Sequence, residues 1–115
     1  MTSSDKQEQD RCVIECSQPK EETMSITRIN TFQALDDKVD ALKKFLTALL
    51  PDIRASSGCQ SCQLLQDQTI PARMVIIEVW DSIDAHHQSL QHVPRESIDE
   101  VKTMLASPPV GGYYQ

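Results

Sequence analysis

Glu78 poses the first chemical question in this chain, because it stands where alternation sends apolar side chains. The segment Arg73–Trp80, RMVIIEVW, is rich in β-branched residues and reads as a strand. Side chains on a strand alternate, so Met74, Ile76, Glu78 and Trp80 share one face and the carboxylate joins an inward row. A buried carboxylate needs a partner. Either Arg28, Arg54 or Arg73 pairs with it and fixes the fold or a dimer, or it is a functional carboxylate with a raised pKa. The ion pair is the expectation. Trp80, the single tryptophan, either packs the core or walls a site and offers its indole N–H. An imidazole can carry a proton near neutrality, so His86, His87 and His92 are candidate proton carriers, but their polar helix is expected to turn them toward water. Cys59-Gln-Ser-Cys62 has C-x-x-C spacing, yet it follows a helix instead of opening one, so no helix N-terminus would stabilise a thiolate. A zinc site shared with Cys12 and Cys16 would lack the glycine of a zinc knuckle, and all four cysteines are expected as small apolar residues.

These residues are positioned by a short succession of elements. MSITRINTF, residues 24–32, alternates as a half-buried strand, with Arg28, Asn30 and Phe32 on one face. Asp36 or Asp37 offers an N-cap for a helix whose apolar positions Val39, Leu42, Phe45, Leu46, Leu49, Leu50 and Ile53 recur at helical spacing. Pro51 should kink its last turns and Gly58 should end it in a left-handed cap. A second strand follows over residues 59–67, then the hairpin loop DQTIPA and the strand ending at Trp80. Asp81 or Ser82 caps a short helix over residues 83–91, and a further helix runs over 94–105 with Ile98, Val101, Met104 and Leu105 inward. The tail VGGYYQ is extended and can add a strand. The order strand, helix, strand, strand, helix, strand is that of an α+β, ferredoxin-like β-α-β-β-α-β sheet.

Length and composition bound the function. One domain fits within 115 residues. A net charge of −6 without a basic cluster argues against nucleic acid as a partner. No apolar run is long enough to span a bilayer and the N-terminus is too polar for a signal peptide, so no membrane association, a cytoplasmic location and reduced thiols are expected. Residues 1–23 hold six acids and three bases and form an appendage to a domain over 24–115. Their one β-prone segment, Cys12–Glu15, is expected to pair with a sheet edge.

From Ser25 to about Met104 the chain resembles the antibiotic biosynthesis monooxygenase family. The resemblance is carried by Arg54 before Gly58-Cys59, by QLLQD over 63–67, by Ile77-Glu78-Val79-Trp80-Asp81-Ser82, and by Ala85 and Leu90 behind them. It implies a homodimer in which two sheets pack face to face as a dimeric α+β barrel, each with a cavity between sheet and helices. It also implies oxidation of a small electron-rich aromatic or quinol by molecular oxygen, without metal or flavin. On this reading Trp80, Asn30 and His86 are the catalytic candidates, and Arg28, Phe32, Glu78 and Met74 bind substrate. Two departures favour a non-catalytic dimeric ligand-binding module as the alternative: Ser89 replaces the family's usual histidine, and Val93-Pro94 replaces a Pro-His pair. A haem-degrading branch of the family supplies a third reading, which requires an axial histidine facing the pocket.

Overall fold

The computed structural model describes residues 25–115, so the expected appendage and its Cys12–Glu15 segment lie outside the described residues. Four strands, β1 (Ile26–Gln33), β2 (Cys59–Gln66), β3 (Arg73–Trp80) and β4 (Val110–Tyr114), form an antiparallel sheet in the order β2-β3-β1-β4. Helix α1 (Val39–Arg54) links β1 to β2, and α2 (Ile83–Leu90) and α3 (Arg95–Lys102) link β3 to β4. This is the ferredoxin-like topology that the element order implies.

Alternation decides the two faces. Along β3, Met74, Ile76, Glu78 and Trp80 are buried, while Val75, Ile77 and Val79 between them are only partly covered. The buried row faces the helices, and Leu42, Leu46 and Leu50, four residues apart on α1, close over its apolar end. Each such leucine contributes roughly 2 kcal/mol by leaving water. Register carries the row across strands: Arg28 lies opposite Glu78 on one side and opposite Tyr113 on the other, while Asn30 lies between Ile76 and Gly111. The opposite face carries Ile29, Val75, Ile77 and Val79, with Leu65 and Tyr114 exposed beside them.

Local chemistry modifies the expected boundaries. Asp36 and Asp37 form a 3-10 turn with Lys38 instead of capping α1, which begins at Val39 with no side-chain cap. The acids still precede the helix, where its dipole favours negative charge. The helix passes through Pro51 to Arg54 and ends at Ala55 in right-handed geometry, so Gly58 is not its cap. Gly58 instead makes the turn into β2, at φ +88°, with its carbonyl accepting the Asp81 N–H at 2.8 Å. Ser82 caps α2, its hydroxyl accepting the Ala85 N–H at 3.1 Å. Helix α3 is shorter than its apolar periodicity suggests, and Ile98, expected inward, is 42% exposed, because α3 stands over a cavity and not against the sheet. Among the described residues no helix is long and apolar enough to cross a membrane.

Gly58 is constrained twice: by its left-handed backbone and by the Ala85 Cβ, which a Cβ on Gly58 would meet at 2.7 Å. Gly58→Ala should therefore cost at least about 1 kcal/mol, read as a lower urea midpoint with an unchanged slope.

Candidate functional site

The sheet's buried row and the three helices enclose a cavity of about 270 Å³ with a mostly apolar lining. Phe32 and Ile76 from the sheet and Phe45, Leu49 and Ile53 from α1 supply that lining. Asn30, Glu78 and Trp80 from the sheet meet it beside His86 of α2; Asp52 of α1, Ser89 of α2, Ile98 of α3 and the intervening turn with His92, Val93 and Pro94 border it elsewhere. Of the residues singled out in the sequence, Asn30, Phe32, Glu78, Trp80 and His86 line this space. Met74 and Arg28 do not. Met74 is fully buried in the core against the leucines of α1. Arg28 shares the face but turns toward the sheet edge, where its guanidinium lies 4.6 Å over the Tyr113 ring and its Nε donates to Asn30 Oδ1 at 3.0 Å.

The expected arginine partner of Glu78 is absent among the described residues. Arg54 donates to the Cys62 carbonyl at 3.0 Å, and Arg73 approaches Asp67 at 3.5 Å. Arg28, directly opposite in register, leans away because Gly111 leaves room: a Cβ there would overlap the guanidinium and Asn30 Oδ1. Glu78, 4% exposed, instead accepts the Trp80 indole N–H on Oε1 at 2.7 Å. Burial pushes its pKa up, against the opposing pull of the indole N–H, the Arg28 charge and the Asn30 side chain. The indole N–H is thus already committed to the carboxylate and is not free for a ligand. Trp80 itself is 1% exposed, with its ring edge-on to His86 at 5.4 Å.

His86 does not face water. It is 4% exposed, its Nδ1 is 2.7 Å from the Tyr113 hydroxyl, and its Nε2 is 3.8 Å from Glu78 Oε1. Burial pushes its pKa down to about 4, and the nearby Arg28 and His87 reinforce the shift. The imidazole is therefore neutral at pH 7. His87 is exposed, and exposed His92 borders the cavity. Ser89, in the position where the resemblance leads one to expect a histidine, lines the cavity while its hydroxyl donates to the His86 carbonyl at 2.6 Å. Cys62 is buried with its thiol pushed up to about 12, chiefly by burial, and Cys59 is also raised, so both persist as thiols.

Tyr113 was not legible as a site residue. In VGGYYQ two adjacent tyrosines must face opposite sides of a strand, but which one turns inward depends on the register of β4 on β1.

The antibiotic biosynthesis monooxygenase family model matches residues 25–103. A conserved protein of Methanosarcina mazei Go1 superposes with a TM-score of 0.74 at 16% identity, over 83% of this chain and 95% of its own. A provisionally named antibiotic biosynthesis monooxygenase of Nitrosomonas europaea gives 0.73 at 20% identity, over 78% of this chain and 88% of its own. Another, from Deinococcus radiodurans, gives 0.70 at 24%, over 80% and 91%. These likenesses establish the fold. No curated protein matches the sequence.

The His86 environment has a signed consequence for stability. The unfolded imidazole takes up its proton near 6.5 and the folded one near 4, so the unfolded chain binds more protons between those values. Stability from this group is full above pH 6.5 and is lost as the pH falls toward 4. Thermal melts of wild type and His86→Gln across pH 4–7 should show a gap that narrows on acidification, although the raised Glu78 titrates in the opposite sense in both proteins.

Proposed function

The chain belongs to the antibiotic biosynthesis monooxygenase family, and from that premise we propose that it is a cofactor-independent monooxygenase acting on a small, electron-rich hydroxyarene or quinol. The observation that carries this reading is a mostly apolar cavity at one end of which Asn30, Glu78 and His86 meet beside the Trp80 ring, while Asp52, Ser56, Ser89, His92 and Ser97 border it from the helices and their turns. A planar hydroxyarene matches that division, with its ring against Phe32, Ile76 and Trp80 and its oxygen toward the carboxylate and imidazole. Chemistry of this kind begins with loss of the hydroxyl proton. The anion passes one electron to oxygen, the two radicals join at a ring carbon, and the peroxide loses water. A ring CH₂, in the keto tautomer, and O₂ thereby become C=O and H₂O. The protein's part is to take the first proton, hold the oxyanion and keep the anion away from bulk water.

Ser89 supports a second reading. With the usual family histidine replaced, the same cavity in a non-catalytic module would bind the hydroxyarene and leave it unchanged. Axial haem ligation is a poorer fit, because the His86 imidazole is 4% exposed and stands beside the Glu78 carboxylate, which leaves little room for a metal on Nε2. Oxygen uptake by the purified protein over a panel of quinols and polyhydroxylated aromatics separates the first two readings. Turnover that falls by about 10²-fold in His86→Ala, and also falls in Trp80→Phe, fits the monooxygenase. Calorimetric binding of a panel compound without uptake selects the module.

The partly covered face of the sheet, with Ile29, Val75, Ile77, Val79 and exposed Leu65 and Tyr114, supports a homodimer built through that face. Ile77→Lys would place a charge at its centre. The variant should sediment as a monomer where the native protein sediments as a dimer, with the helix-side cavity unaltered.

A further inference from the structure

We propose that Tyr113 locks His86 in the tautomer with its proton on Nε2, making the imidazole a hydrogen-bond donor to the cavity and leaving Glu78 as the cavity's proton acceptor. The tautomer follows from the placement of the Tyr113 hydroxyl and an ionised Glu78 on opposite sides of a neutral imidazole; the acceptor role rests on the hydroxyarene reading above.

Ionised Glu78, which accepts the Trp80 indole N–H on Oε1, has electron pairs and no proton to turn toward His86 Nε2 at 3.8 Å. An unprotonated Nε2 would turn its lone pair toward the negative carboxylate, whereas an Nε2–H turns a partial positive charge toward it. The proton therefore belongs on Nε2. Nδ1 is then bare, and the Tyr113 hydroxyl, 2.7 Å away, must be the donor in that bond.

Tyr113 is held for this task from its other side. The Arg28 guanidinium covers its ring, and Gly111 on the same strand gives the guanidinium its space. The groups that bear on the pair are Arg28 and Asn30 from β1, Cys59 and Cys62 from β2, Trp80 from β3, His87 from α2 and Tyr113 from β4, with Asp52 of α1 and His92 bordering the same cavity. Arg28 and His87 both oppose a second positive charge on His86, which keeps the imidazole a neutral donor.

The gap between His86 Nε2 and Glu78 Oε1 is too long for a hydrogen bond. One ligand oxygen between them can donate its proton to the carboxylate and accept the Nε2–H. On transfer the O–H bond breaks, its electron pair stays on the ligand oxygen, and the proton goes to Glu78. The resulting oxyanion keeps the Nε2–H donor it already had. This arrangement selects a hydroxyl: an ether has no proton to give, and a carboxylate would meet Glu78 as a like charge. Tyr113 is a positioning residue in this scheme, since it acts only through the imidazole.

Long-range ¹H–¹⁵N correlation spectra of the full-length protein labelled at histidine read the tautomer directly. His87→Gln and His92→Gln assign the three signals. His86 should show protonated Nε2 and bare Nδ1 at pH 7, and Tyr113→Phe, which retains the ring under Arg28, should shift the population toward the Nδ1–H form. A wild-type Nδ1–H tautomer, or a population unmoved by Tyr113→Phe, overturns the lock. In the oxygen-uptake assay, Glu78→Gln should lose about 10²-fold or more in kcat; full turnover in that variant overturns the acceptor role. Absence of turnover in every protein, with the tautomer as expected, overturns the monooxygenase reading and leaves the lock standing.

Discussion

A carboxylate set into an apolar sheet face organises the helix side of this molecule. Taking an ionised carboxylate out of water costs several kcal/mol even after relaxation, while each hydrogen bond to a charged group returns about 1.5–3 kcal/mol. Glu78 receives the Trp80 indole and the Asn30 side chain. The upward direction of the Glu78 shift says that desolvation outweighs these donors. Were Arg28 to close on Glu78 as register allows, the pair would be a structural ion pair with no basicity to spare. Gly111 opens the space beside β4 that lets the guanidinium lie elsewhere.

The same face shows how one strand can change the chemistry of another. β4 contributes only five residues at the sheet edge, yet its Tyr113 reaches a histidine on α2, and its Gly111 makes room for an arginine on β1. Three elements far apart in sequence thus converge on one imidazole, which sits between a phenol and a carboxylate with its neutral form favoured. Toward α1 the cavity is lined mainly by Phe45, Leu49 and Ile53, which shape it by packing.

Much of this frame was legible from residue types. Period-two alternation located β3 to the residue and placed Glu78 and Trp80 inward, and leucine spacing located α1. What escaped notice depended on relations between elements. An eight-residue helix carries too few turns for periodicity to say which side is buried, so His86 read as solvent-facing when it is enclosed. Charge is visible in a sequence and points to arginine as the partner of Glu78, whereas the indole two residues along the same strand face is a less obvious donor. Arg28 and Met74 share the correct face with the cavity residues but stand beyond its edge, a distinction that alternation cannot make. Gly58 was correctly marked as left-handed, although the turn it serves belongs to β2 and not to the end of α1.

The place of the single tryptophan gives the molecule an intrinsic optical probe. Its indole is shielded from solvent, borders the cavity and is hydrogen-bonded to the buried carboxylate of Glu78, so its emission arises from a single environment. Any compound that enters, or any change in the charge of Glu78, acts on the excited state of that ring by quenching or by a shift in wavelength. Occupancy of the cavity can therefore be followed without a label and without knowing what the protein does to its ligand, which makes compound libraries searchable by light before a reaction is in hand.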